Sequence, residues 1–131
     1  MKKHLPTFAG VLLGLCFLAA SVPVLFHLVP IPQMTEGTPI AHFMAAFAPT
    51  GYMTFVKVCE LAGGILVAIP RTRNLGLLVL GPIIVNIMVF HLCITSAKDL
   101  INPMLGAIVV FALYLLWVER KAFGELISHA R

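Results

Sequence analysis

Four polar side chains interrupt two apolar runs between Gly51 and Thr95: Lys57 and Glu60 in the first run, Asn86 and His91 in the second. An ammonium, a carboxylate, an amide and an imidazole can together hydrogen-bond a carbonyl-bearing ligand and move protons. Inside a bilayer such groups are costly, at least ~2.5 kcal/mol for a charge at the centre, and they face a bundle interior or a wet cavity. This stretch is therefore where the chemistry of the chain is expected.

The elements that position these residues follow from composition. The chain has 131 residues, 60% hydrophobic and 11% charged. That apolar share lies far above the ~45–50% of soluble domains, and the length fits one domain. Four stretches, Phe8–Val29, Gly51–Ile69, Leu75–Thr95 and Leu100–Val118, approach the ~20 residues needed to cross a ~30 Å hydrocarbon core. The expected fold class is an all-α, integral membrane four-helix transmembrane bundle with an outer loop over 30–50.

Lys2, Lys3, Arg71, Arg73, Arg120, Lys121 and Arg131 all fall on one side of that topology. The positive-inside rule makes that side cytoplasmic and places both termini there. This distribution explains the net charge of +4 without nucleic acid as a partner. The basic start and Ala19-Ala20-Ser21 also fit a signal peptide, but the apolar run continues to Val29, so an uncleaved first helix is expected. Pro23 should bend it, and His27 should lie in its last turn on the outer side. Between 30 and 50 a proline-rich strap leads into an amphipathic piece, IAHFMAAFAPT, suited to the membrane surface.

At 100° per residue Lys57, Glu60 and Gly64 share a stripe about 60° wide. Lys57 and Glu60 can pair at i,i+3, and Gly63-Gly64 allows close approach of another helix. Pro82 breaks one backbone bond in the third segment and permits a kink one turn before Asn86. Phe90 and Cys93 should share the face of Asn86, whereas an unbroken helix sets His91 about 140° away. From the topology, His27, His42, Lys57, Glu60, Asn86 and His91 should converge on the outer half of the bundle. Asn102-Pro103 reads as a helix start, and residues 119–131 as a short amphipathic helix or an irregular tail.

Three uses fit such a cluster. Lys57, Glu60, Asn86 and His91 can bind a quinone's carbonyl oxygens and exchange protons. His27, His42 and His91 can ligate a metal or haem, although their spacing matches no compact ligand motif. Alternatively the polar groups satisfy one another and only hold helices together or dock a partner. A path for a small transporter or channel is a further option. Cys16, Cys59 and Cys93 form no Cys-x-x-Cys pair and read as buried small hydrophobes. Phosphate-binding loops, His-Glu-x-x-His helices and Gly-x-Ser-x-Gly elbows are absent, which argues against ATP-driven transport and hydrolysis.

The run FVKVCELAGGILVAIPRTRNLG, with LGPIIVNIMVFHL after it and FMAAFAPTGYM before it, resembles the DoxX-like family of the DoxX/DoxD group over about residues 5–118. The residues that match are Lys57, Glu60, Gly63, Gly64, Pro82, Asn86 and His91. The resemblance implies a bacterial-type inner-membrane protein associated with redox complexes; DoxD-type members are the small subunit of a thiosulfate:quinone oxidoreductase. The expectation is thus a quinone-binding, redox-associated subunit with a membrane or periplasmic redox partner, or a homo-oligomer. The alternative is a non-enzymatic accessory or scaffold subunit.

Overall fold

Six α-helices are built from the residues that the computed structural model describes, 4–30, 33–95 and 102–129. They are α1 (Leu5–Leu25), α2 (Pro39–Phe47), α3 (Tyr52–Ala68), α4 (Arg73–Phe90), α5 (Pro103–Val118) and α6 (Arg120–His129). No strand occurs among the described residues. Lys2, Lys3, Lys98, Asp99, Leu100 and Arg131 lie outside them, as does the outer turn expected over Ser96–Asn102 apart from Asn102 itself.

Local chemistry sets most boundaries. Pro6 lies in the first turn of α1, where its missing N–H costs nothing. The helix ends at Leu25, earlier than the expected Val29, because His27 takes a φ of 54° and leaves the helical path. His27 is therefore beyond the helix and not in its last turn. Thr38 caps α2 by accepting from the Ala41 N–H at 3.3 Å. A tight turn over Ala48–Thr50 and Gly51, at φ 81°, then swings the chain through 84° into α3. Only glycine adopts that φ without a steric cost.

Helix α3 ends at Ala68, before Pro70. Thr72 holds the ensuing turn by donating to the Leu66 carbonyl at 2.7 Å. After Phe90 the chain widens into a π turn, His91–Thr95. Asn102 starts α5 as expected, its side-chain oxygen accepting from the Met104 N–H at 2.9 Å. A 68° bend separates α5 from α6, so the tail is helical at least as far as His129.

Two helical segments, Leu5–Leu25 and Pro70–Thr95, are long and apolar enough to cross a membrane singly. The count rises to four if each bent pair, α2 with α3 and α5 with α6, makes one span. At ~1.5 Å per residue, α3 and α5 are each about 25 Å long, slightly short of a ~30 Å core.

Packing is tightest between α1 and α3 and between α3 and α4, and α5 lies against α1 and α4. The core draws on Ala9, Leu13 and Phe17 of α1, Val67 of α3, Leu77, Leu80 and Ile84 of α4, and Ile108, Ala112 and Leu115 of α5. Each set recurs at helical spacing. Glycines let the backbones meet: a methyl on Gly14 would sit 2.5 Å from the Gly64 carbonyl oxygen, and one on Gly76 2.5 Å from the Val67 nitrogen. Gly10 and Gly14 form a Gly-x-x-x-Gly motif, a sequence signal of helix contact. The outer surface is apolar, with Phe8, Phe55, Val85, Val110 and Leu113 each more than 60% exposed. Such a surface suits hydrocarbon and not water.

One charge departs from the expected pattern. Arg73, counted in the sequence among the basic residues of the cytoplasmic side, is 6% exposed. Its Nη1 lies 3.6 Å from the Glu119 carboxylate, and its Nη2 donates to Thr7 Oγ1 at 3.4 Å. Gly10 makes room for it, since a methyl there would stand 3.3 Å from Nε.

If the glycine contacts set the helix spacing, Gly14→Ala lowers stability by about 1–3 kcal/mol through overpacking. Gly106→Ala, with nothing within 4 Å of the added methyl, leaves stability unchanged or raises it slightly. Thermal unfolding of the two variants in detergent distinguishes them.

Candidate functional site

Where the core stops, a cavity of about 280 Å³ opens. The core uses the first half of α1, the last turns of α3, the first half of α4 and the latter part of α5. The cavity shares Phe17 and Ile108 with the core and otherwise uses the other ends of the helices: Ala20 of α1, residues between 52 and 60 of α3, residues 86–91 from the end of α4 into the π turn, and Asn102 with the start of α5. Its volume sits at the lower edge of ligand pockets, which begin near ~300 Å³, so it admits one ring system and not a large substrate.

Lys57, Glu60, Asn86 and His91 all line this cavity. Glu60 is 3% exposed and its carboxylate accepts from Lys57 Nζ at 3.1 Å. Lys57 also reaches the Ala20 carbonyl at 3.5 Å, which ties α3 to α1 across the cavity floor. The ion pair is local and i,i+3, so its formation requires only that the helix form. Asn86 lies on α4 with an exposed side chain, and the His91 ring meets Thr95 Oγ1 at 3.2 Å within the π turn. The 140° that separates Asn86 from His91 on an ideal helix does not keep them apart, because the cavity wraps around the end of α4.

The supporting residues act from outside the cavity. Gly63 and Gly64 are buried and set α3 against α4 and α1: a methyl on Gly63 would collide with Leu80, and one on Gly64 would press on Phe17 at 3.1 Å. Pro82 is exposed within α4.

Of the six residues expected toward the outer half of the bundle, His27 and His42 do not line the cavity. His27 is exposed beyond the end of α1, and His42 is exposed on α2, whose Phe43 is the residue that meets Phe90, ring to ring at 5.0 Å. His27, His42 and His91 are therefore not placed to share a metal ion. Among the described residues no group of three His, Cys, Asp or Glu side chains is placed to hold a metal ion. Cys93 is exposed and does not line the cavity with Asn86 and Phe90, because the wider π turn rotates it away from the α-helical register. Cys16 and Cys59 are half-buried, and none of the three is in a disulfide.

Other lining residues lie outside the set marked by sequence polarity, four of them at positions that add aromatic, apolar or amide surface. Phe43 and Tyr52 bring aromatic surface to the mouth, where Phe43 packs on Phe47 and Phe47 on Tyr52. Met53 adds apolar surface, and Asn102 brings an amide. The only sequence signal for Asn102 is its helix-start motif, which the topology places beside the end of α4.

No protein-family model matches the chain, and no solved structure matches it. An uncharacterized protein of Bacillus subtilis (strain 168), YwoB, is 35% identical over 72 residues, 55% of this chain. The matched region covers 45% of that relative, so the chain spans less than half of its length.

Removing one member of a buried pair leaves the other charge without its partner, at a cost of the order of 3 kcal/mol. Lys57→Met should therefore lower the melting temperature sharply. The double variant Lys57→Met/Glu60→Gln should recover most of the loss, because no uncompensated charge remains. Non-recovery in a thermal melt of the purified chain would show that Glu60 is held by something other than Lys57.

Proposed function

We propose that the chain is a DoxX-like membrane protein, a four-span bundle in a bacterial-type inner membrane with both termini cytoplasmic. In this reading it binds a quinone or similar lipophilic redox molecule, as the membrane subunit of a redox complex. The observation that carries the reading is the cavity lining: an ion pair neutral in sum, an amide and an imidazole on otherwise largely apolar walls. A neutral ring with polar edges is the ligand class that gains from both parts of such a wall. Asn86 and His91 carry hydrogen-bond donors for carbonyl oxygens, and Glu60 carries a carboxyl able to exchange a proton. Electrons are the business of a membrane or periplasmic redox partner in this reading. The resemblance around Lys57–Gly64 and Gly81–Leu92 supports the same assignment.

A second reading, a non-enzymatic accessory or scaffold subunit, draws support from the Lys57 contacts. Lys57 satisfies Glu60 and the Ala20 carbonyl at once, which is the behaviour of a residue that fastens helices.

Mass spectrometry of the chain purified gently from its native membrane separates the two. The quinone reading expects a near-stoichiometric quinone whose retention falls about ten-fold in Asn86→Ala, the effect of one lost hydrogen bond of about 1.4 kcal/mol. A bare chain, or equal retention in the variant, favours the scaffold reading. The topology has its own test. A fluorescent protein fused after His129 should fold in the cytoplasm, and a phosphatase inserted at Gly37 should be active outside.

A further inference from the structure

We propose that the α6 end of the molecule, where Arg71 joins Arg120 and Lys121 of the amphipathic helix α6 beside Trp117, binds the headgroups of anionic phospholipids. This inference rests on the membrane reading of the chain and not on the quinone reading.

The ion pair between buried Arg73 and half-buried Glu119 draws the α3–α4 turn against the α5–α6 junction. The exposed Arg71 thereby comes to the same end of the molecule as the exposed Arg120 and Lys121. Thr7, bonded to Arg73, brings the start of α1 there too. At 100° per residue, Ala122, Phe123, Leu126 and Ile127 occupy one side of α6, and Arg120, Lys121, Gly124, Glu125 and Ser128 the other. Phe123 packs against the core and anchors the bend, while Leu126 and Ile127 remain 51% and 63% exposed.

Arg120 stacks over the Trp117 ring at 4.3 Å and donates to the Trp117 carbonyl at 2.7 Å. A guanidinium is thus held next to an indole that is 62% exposed, the pairing found where hydrocarbon meets headgroups. Glu119 is engaged by Arg73, so Glu125 is the acidic group that opposes the three cations on this face. At the α2 corner of the molecule the pattern reverses, with no Lys or Arg anywhere from Leu25 to Val56. The charge selects an anionic surface, and the exposed Leu126, Ile127 and Trp117 require hydrocarbon beside it. A bilayer of anionic lipid supplies both at once.

Trp117 is the sole tryptophan, so its fluorescence reports on this site alone. The full chain is reconstituted in phosphatidylcholine vesicles and quenched with acyl-brominated phosphatidylglycerol or acyl-brominated phosphatidylcholine. The expected result is about a five-fold or greater preference for phosphatidylglycerol at low salt, the scale of one cation near an anionic surface. The preference should shrink in high salt, fall at least about two-fold in Arg71→Gln/Lys121→Gln, and vanish when Arg120→Gln is added. The double variant keeps the Arg120–Trp117 stack and decides the matter if the triple variant does not reconstitute. Equal quenching by the two lipids in the unaltered chain, or a preference unchanged in the double variant, overturns the proposal.

Discussion

A carboxylate that is 3% exposed among apolar helices must find a cation at contact distance, and for Glu60 that cation is Lys57 at 3.1 Å. Because the partner lies one turn away on the same helix, neutralisation needs no tertiary contact. Helix α3 can then be buried on two sides, against α1 and α4, without an unpaired charge. The residual hydrogen-bonding capacity of Lys57 is spent on the Ala20 carbonyl, which turns a local pair into a link between helices. The opposite end of the molecule meets the same constraint differently. There Arg73 finds Glu119 46 positions along the chain, so the pair exists only once α4 and α5 have come together.

These two solutions divide the molecule. Between them the small residues of α1, α3 and α4 let backbones approach so closely that no space remains, and the aliphatic core fills what the glycines leave. Toward the α2 corner the side chains at the contact are larger and more polar, the helices no longer interlock, and a cavity results. Helix α2 contributes aromatic surface to its mouth by way of Phe43, while the 84° corner at Gly51 keeps α2 from continuing α3. A closed, glycine-packed half thus supports an open, polar-lined half, an arrangement that holds most of the polar lining groups on helices.

Helix positions and the Lys57–Glu60 pair were legible in the sequence because both are short-range: apolar length, proline and capping residues set the first, and i,i+3 spacing sets the second. The Asn102-Pro103 start and the proline-bounded turn near Arg71 belong to the same class. The exact end of α1 was not legible, since Val22–Val29 stays apolar while the backbone turns at His27. The fates of His27, His42 and Cys93 were equally hidden, because a shared membrane end does not imply a shared cavity.

What the sequence by itself determined is an all-helical chain with segments apolar enough to cross a membrane, the place of its helix breaks, and the asymmetry of its basic residues. Those properties are sums over neighbouring residues, and hydrophobicity, proline and glycine act locally. Only the tertiary structure decided that Asn86 and His91 line one cavity with Lys57 and Glu60, that Asn102 joins them, and that Arg73 is buried against Glu119. Each of these depends on how helices distant in sequence are rotated and spaced. That rotation is set by glycine contacts such as Gly14 on Gly64, whose geometry no periodicity encodes.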